Sequence, residues 1–247
     1  DFAIGGDQLY LACGFKGVRL FTLNGYSALT PADSSSEPVH AIACEINQSR
    51  LFVIDDYSGV FTFRPSPAQI NASIHFLPFS SPALSVASRN DSVFIGTASK
   101  GISVARIAND TLALVGTLPT NFASARIELV DTLIVSFASD GATSDLVSLS
   151  GHLNSMFSMP GETFNSGSTF SVGGTSYLVT PATEGNLMLY NLNQIETDLL
   201  QPRPSYPYSG LITEVCIFRD TIVVARRGHP MLAYPLAATV PSELPVG

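Results

Sequence analysis

The sequence predicts an all-β fold, a six-bladed β-propeller with four antiparallel strands in each blade. A phrase made of an apolar strand, a tight loop that ends in glycine and a second strand recurs, most clearly at 8–21, 49–64 and 92–104. The copies follow one another at steps of 40 to 45 residues, which is the length of a propeller blade. These steps are counted from Leu9, Leu51, Val93, Leu133, Tyr177 and Ile222. The run Leu51-Phe52-Val53-Ile54 lacks alternation, as expected of a strand that is covered on both faces.

Turn residues divide each repeat into strands A, B, C and D. One domain, 1–247, is expected, with blades at 1–37, 38–81, 82–119, 120–162, 163–206 and 207–247. In the first blade, strand B covers 8–12 and strand C covers 17–23, and a loop follows at 31–38. In the third blade, strand D covers 112–117 and ends before the fourth blade begins. A helical or irregular insertion is expected at 192–200. Four recurring glycines are predicted to adopt positive φ at the turn into strand C: Gly17, Gly59, Gly101 and Gly185.

Composition favours a β-rich chain and argues against two classes of partner. Hydrophobic residues make up 45% of the chain and charged residues 13%, with a formal net charge of −8. Nucleic acids and anionic membranes are bound through Lys and Arg, and the chain has no basic cluster, so neither is an expected partner. No apolar run approaches the roughly 18 residues of a membrane-spanning helix, so direct membrane insertion is not expected. The chain begins at Asp1 without a recognisable signal peptide, as expected of a processed form or an excerpt.

The three cysteines are expected to be unpaired and mostly buried. Cys13, Cys44 and Cys216 match no zinc-binding pattern. Cys44 and Cys216 occupy equivalent positions two blades apart, which is farther than a disulfide can reach.

Polar and charged residues concentrate in the loops between strands B and C. In a propeller these loops share one face, and loops on a rigid scaffold often carry recognition. We therefore regard them as a candidate binding face, the alternative being that the loops are polar because they are solvated. The candidate residues are Lys16, Asp55, Asp56, Tyr57, Lys100, Asp140, Glu184, Arg226, Arg227 and His229.

Four Asn-x-Ser/Thr sequons predict N-glycosylation on the opposite face. They begin at Asn47, Asn71, Asn90 and Asn109. Asn47 and Asn90 fall in A–B turns, whereas Asn71 and Asn109 fall in C–D turns. Asparagine favours turns in any case, but this preference does not explain why all four avoid the B–C loops.

No catalytic motif is recognisable in the sequence. The histidines, His40, His75, His152 and His229, occupy non-equivalent blade positions without metal-ligand spacing. Asp55-Asp56 could bind calcium with help from carbonyl groups, but adjacent acids in a loop are usually solvated. No Gly-x-Ser-x-Gly elbow, the motif of a hydrolase nucleophile, is present. Arg126 and Glu128 are expected to approach the central channel as a structural ion pair. The sequence therefore predicts no catalytic residue, no metal site and no cofactor.

The recurring phrase, a strand, a short loop and Gly-(Val/Ile)-x-(Leu/Thr/Val), resembles the LVIVD-type repeats of bacterial, archaeal and some eukaryotic surface propellers. That family usually places an aspartate at the end of strand C, where this chain has Thr22, Arg64 and Arg106. The chain contains no tryptophan, so it lacks the Trp-Asp dipeptide of WD40 proteins. The resemblance implies an extracellular or envelope-associated propeller without enzymatic activity.

We therefore expect a non-enzymatic extracellular or cell-surface propeller. It would act as a structural or assembly subunit, for example of a filament, or as a protein-binding scaffold. Its partners would be other proteins or further copies of itself, with glycans as an additional class. The alternative is an extracellular hydrolase or lyase whose site lies at the mouth of the channel.

Overall fold

The computed structural model describes residues 1–24, 28–138, 143–149, 151, 153–158, 167–182, 186–194, 203–207, 212–218, 221–226 and 229–235. Their strands form the antiparallel sheets of a β-propeller. The first sheet contains β1 (Phe2–Gly5), β2 (Gln8–Ala12), β3 (Val18–Asn24) and β4 (Ala28–Ser35). The second contains β5 (Ala41–Asn47), β6 (Arg50–Asp55), β7 (Gly59–Phe63) and β8 (Ser73–Pro78).

The third sheet has seven strands and contains the residues of two repeats. Its strands are β9 (Ala83–Arg89), β10 (Ser92–Thr97), β11 (Lys100–Ala108), β12 (Thr111–Val130), β13 (Leu133–Ala138), β14 (Thr143–Ser148) and β15 (Leu153–Ser158). The fourth sheet contains β16 (Ser168–Val172), β17 (Thr175–Ala182), β18 (Asn186–Asn191) and β19 (Arg203–Pro207). The fifth contains β20 (Ile212–Phe218), β21 (Thr221–Arg226) and β22 (His229–Pro235).

The structure has five sheets where the sequence predicts six separate blades, because β12 does not break. Over its first part β12 pairs with β11, and over its last part it pairs with β13. Side chains bind the backbone where the strand changes partner. The Thr120 hydroxyl accepts a hydrogen bond from the Gly101 N–H at 2.6 Å, and the Asp145 carboxylate accepts one from the Asn121 N–H at 2.6 Å. The prediction that strand D of the third blade ends near residue 117 is therefore wrong.

One further expectation differs from the structure, and another agrees with it as far as the described residues extend. The segment predicted as a loop at 31–38 is strand as far as Ser35, and Asp33 stabilises it by accepting a hydrogen bond from the Ile70 N–H at 2.8 Å. The insertion expected at 192–200 begins with a short 3-10 helix, Leu192–Gln194, and its remainder lies outside the described residues. No helix in the described ranges is long and apolar enough to cross a membrane.

The core consists of apolar layers between successive repeats. Strand β6 shows the arrangement, because its side chains alternate between two layers. Leu51 and Val53 pack toward the first sheet, whereas Phe52 and Ile54 pack toward the third, and all four are fully buried. A further layer, which includes Phe94 and Ile134, lies between the two halves of the seven-stranded sheet.

None of the three cysteines forms a disulfide, which confirms that prediction. Cys44 is buried, whereas Cys13 and Cys216 are half-buried, so the expectation of mostly buried thiols is only partly met. Burial raises the pKa of the Cys44 thiol to about 12, which keeps it protonated and chemically unreactive at neutral pH.

The glycines at the turn into strand C have the conformation that the sequence predicts. Gly17, Gly59 and Gly101 have φ values of 65°, 143° and 101°, whereas Gly185 lies outside the described residues. A Cβ atom on Gly17 would overlap the backbone oxygen of Ser35, and one on Gly59 would overlap that of Leu77. Glycine at these two positions therefore allows the third and fourth strands of the first sheet, and those of the second sheet, to approach each other closely.

We expect Gly17→Ala to lower the free energy of unfolding by about 2 kcal/mol or more, because it combines a strained φ with a backbone clash. Urea titration monitored by circular dichroism measures this change. The matched control is Gly116→Ala in β12, where a Cβ atom meets nothing within 4 Å. Equal stability of the two variants would contradict the structural role of Gly17.

Candidate functional site

The loops at one end of the propeller meet between the first two sheets. We call this end, where the second and third strands of each sheet are joined, the B–C end, and the opposite end the A–B end. The β2–β3 loop is tied to the start of β5 through two backbone hydrogen bonds. The Gly14 N–H donates to the Ala41 oxygen at 2.7 Å, and the Ala41 N–H donates to the Gly14 oxygen at 3.1 Å. This bridge holds loops of two different sheets side by side.

Asp55 stabilises the loops of this site from the protein interior and is not exposed at the surface. Its side chain is buried, and its carboxylate accepts three backbone hydrogen bonds. One comes from the His40 N–H at 3.1 Å, and the others come from the Tyr57 and Ser58 N–H groups at 3.0 and 3.1 Å. A single carboxylate thus fixes both the β6–β7 loop and the connection from the first sheet to the second.

Two exposed aromatic side chains contact the His40 ring at this position, and a third exposed apolar residue, Val39, directly precedes His40 in the chain. The His40 ring centroid lies 4.2 Å from that of Phe15 and 5.3 Å from that of Tyr57. His40 Nδ1 lies 2.6 Å from Asp56 Oδ1, which orients the ring. Phe15, Val39 and Tyr57 are 75%, 71% and 75% exposed, more than any other large hydrophobic residue that the structure describes. We call Phe15, Val39, His40 and Tyr57 the aromatic patch.

The structure brings together some of the residues predicted from the sequence and separates others. Lys16, Asp56 and Tyr57 lie in the two loops that form the patch, and Lys16 is exposed beside Phe15. Lys100 is exposed at the start of β11, away from the patch. Arg226 and His229 pair through their backbones at the ends of β21 and β22. Asp140, Glu184 and Arg227 lie outside the described residues.

Sequence reasoning missed Phe15, Val39 and His40, because it searched these loops for charge. The sequence did contain a signal for Phe15, because an apolar residue stands in a short loop there, between Gly14 and Lys16. The proximity of Phe15 to Tyr57 depends on contacts between two sheets, which no local pattern reveals.

A cavity of about 880 Å³ occupies the centre of the propeller, and both the first and the last sheet contribute to its wall. Glu45 lines it, and the Ser88 hydroxyl donates a hydrogen bond to the Glu45 carboxylate at 3.0 Å. Burial, the largest cause, raises the pKa of Glu45 to about 7; the Ser88 hydrogen bond opposes this shift and nearby Glu128 adds to it. Arg126 and Glu128 also line the cavity and form the expected ion pair at 2.9 Å.

The described part of the chain contains no group of three or more His, Cys, Asp or Glu side chains that could hold a metal ion. At the A–B end, Asn47 is the last residue of β5, Asn71 lies in the connection between β7 and β8, and Asn90 and Asn109 lie in turns of the first half of the third sheet. Asn71, Asn90 and Asn109 have φ values of 62°, 52° and 47°. Asn47 donates from Nδ2 to the Asn90 oxygen at 2.9 Å. Glycosylation of these residues stays a prediction.

Comparison with known proteins identifies the fold and no family. No family model and no curated protein matches the chain, so the resemblance to LVIVD-type repeats stays a prediction. Among solved structures, the computationally designed Ika8 protein is similar at a TM-score of 0.66 and 14% identity, over 95% of this chain and 70% of that one. BamB from Moraxella catarrhalis is similar at a TM-score of 0.63 and 15% identity, over 97% of this chain and 70% of that one. At these identities the likeness concerns the fold alone.

We expect Asp55→Ala to lower the free energy of unfolding by about 2–4 kcal/mol, because it removes three charge-assisted hydrogen bonds and leaves buried N–H groups unsatisfied. Urea titration at neutral pH measures the effect. Asp56→Ala is the matched control, since Asp56 is partly exposed and contacts only the His40 side chain among the described residues. A smaller loss for Asp55→Ala than for Asp56→Ala would contradict this assignment.

Glu45 makes the stability depend on pH. Its pKa is raised in the folded protein, so the folded state retains a proton that the unfolded state releases between about pH 4.5 and pH 7. Its contribution is therefore present below this range and is lost as the pH rises through 7. Relative to wild type, we expect Glu45→Gln to gain about tenfold or more in its folding equilibrium constant between pH 5 and pH 8.

Urea titrations at several pH values, with the exposed Glu37→Gln as the control, measure this relative gain. A constant difference between wild type and Glu45→Gln across this pH range would show that the carboxylate is solvated.

Proposed function

We propose that the protein is a non-enzymatic propeller that binds another protein surface through the aromatic patch at its B–C end. The observation that carries this proposal is that Phe15 and Tyr57, two of the three most exposed large hydrophobic residues in the described ranges, both contact the His40 ring, which directly follows the third, Val39. Scattered exposed apolar residues are ordinary, but a contiguous group with a polar rim is typical of a protein interaction site.

The composition and rigidity of the patch suit this role. Aromatic side chains dominate the binding energy of protein interfaces, where they act as central anchors inside a polar rim. Phe15 and Tyr57 are the anchors, and Lys16 and Asp56 form part of the rim. The Gly14–Ala41 bridge and the Asp55 hydrogen bonds fix the loops before a partner arrives, so little conformational entropy is lost on binding.

We further propose an extracellular or cell-surface location, in which the protein acts as an assembly subunit or a protein-binding scaffold. The four sequons at the opposite end and the resemblance to surface-propeller repeats support this proposal. Glycans there would leave the B–C end bare for contact.

Catalysis at the centre of the propeller is the second candidate function. The Glu45 carboxyl, with its pKa of about 7, has the proton affinity of a general acid or base. Its immediate surroundings are less suitable, because the nearby carboxylate of Glu128 is bound to Arg126. We therefore favour protein binding at the patch over catalysis in the channel.

Photo-crosslinking from the patch tests the proposed function. We expect a photoreactive phenylalanine analogue at Tyr57 to give a discrete crosslinked protein adduct in the native source. The same analogue at Val172, an exposed apolar residue of the fourth sheet, is the control and should give no such adduct. Phe15→Glu should abolish the adduct formed from position 57. Equal labelling from positions 57 and 172 would refute binding through the patch.

A further inference from the structure

An apolar groove lies at the A–B end, at the opposite end of the junction that carries the aromatic patch. Its volume is about 710 Å³, and its apolar wall includes Ile4, Ile46, Pro65 and Pro67. Ile4 is 47% exposed and Pro67 is exposed. Both the patch and the groove are built by the first two sheets. A displacement along the channel axis without rotation therefore brings the patch-bearing end of these two sheets in one copy to the groove-bearing end of the same two sheets in the next.

Charged residues around the two surfaces are complementary under the same displacement. In the first sheet, Lys16 is exposed at the B–C end and Asp7 is exposed at the A–B end, where it lines the groove. In the second sheet, Asp56, which contacts His40, lies at the B–C end, and Arg64, whose side chain is 54% exposed and pairs with Asp110, lies at the A–B end. Within each of these two sheets, the charged residue at one end thus has the sign opposite to that of the charged residue at the other end.

The sequons restrict this contact on the side of the second sheet, because Asn71 donates from Nδ2 to the Arg64 oxygen at 2.9 Å and to Oγ of the groove residue Ser66 at 3.4 Å. The contact therefore requires Asn71 to be unmodified. Asn47 donates its hydrogen bond to Asn90 of the third sheet, so a glycan on Asn47 would leave from the side of β5 that faces away from the first sheet. The other three sequon asparagines belong to the second and third sheets. The groove wall that belongs to the first sheet would remain uncovered.

We propose that the partner of the aromatic patch is a second copy of this chain, bound head to tail with Phe15 and Tyr57 in the groove. This inference rests on the proposed function, because it uses the same patch. The contact joins two different surfaces of identical subunits, so it does not close after two copies and continues into a linear filament. The net charge of −8 is no obstacle, because opposite charges meet at the contact.

Sedimentation velocity at increasing protein concentration tests this arrangement. Wild-type protein is expected to form a series of species that extends beyond the dimer. Phe15→Glu in the patch and Pro67→Glu in the groove should each abolish the series, whereas Val172→Glu, outside both surfaces, should leave it unchanged. Circular dichroism melting confirms that each variant is folded.

Charge reversal makes the test specific for head-to-tail contact. Lys16→Glu alone places a new carboxylate against Asp7 of the next copy, and Asp7→Lys alone places a new ammonium group against Lys16. Each variant should therefore associate about tenfold or more weakly than wild type. An equimolar mixture of the two should recover association, because both contacts of an alternating filament then join opposite charges. At one contact the two substituted side chains attract each other, and at the other Lys16 meets Asp7 as in wild type.

Three outcomes would overturn the inference. A wild-type protein that stays monomeric, while position 57 crosslinks a different protein, refutes self-assembly and leaves the proposed function standing. A complex that stops at two copies and does not respond to Asp7→Lys indicates patch-to-patch contact. The absence of both self-association and any crosslink from position 57 refutes the inference together with the proposed function.

Discussion

The structure depends on burying β6, β10 and β13, the second strands of three successive repeats, on both faces. In β6 every side chain from Leu51 to Ile54 is fully buried, with alternate residues serving the layers on either side. Both faces of such a strand are covered by apolar layers, so all four residues of its apolar run are buried. The charged and exposed residues that remain for recognition must therefore lie at the ends of the strands and on the outermost strands. This is why both the aromatic patch and the opposite groove are built from loops and strand ends.

Asp55 connects this packing to the candidate site. It ends the buried strand β6, where its carboxylate replaces water as the acceptor for three backbone N–H groups. One of these groups belongs to His40, whose ring fills the space between Phe15 and Tyr57. The buried Asp55 carboxylate thus positions the apolar contacts at the surface. Asp55 was a candidate binding residue in the sequence, whereas its role in the structure is to hold these loops.

The repeat predicted much of the fold, because strand B combines an apolar run with turn residues at both ends. The limits of β2 agree with those expected from the sequence, as does the positive φ of Gly17 and Gly59. The continuous β12 was not predictable, because Thr120 and Asp145 stabilise it through contacts with residues elsewhere in the chain. The same reason applies to Glu45, whose raised pKa depends on neighbours from other strands. Of the site, the loops and Tyr57 were expected, whereas the apolar contacts between two sheets were not.

The unbroken β12 also determines how the molecule comes apart. By contrast, the first two sheets are joined by residues 36–40, which lie outside any strand, and the Gly14–Ala41 bridge supplies two backbone hydrogen bonds between them. The two halves of the seven-stranded sheet share one strand and one apolar layer. Opening either half would expose the apolar layer that they share and release one end of β12, so we expect the strands from β9 to β15 to open as a single cooperative unit. Slow amide hydrogen exchange would then extend across the buried strands of both halves, and a chain cut within β12 would weaken the packing between them.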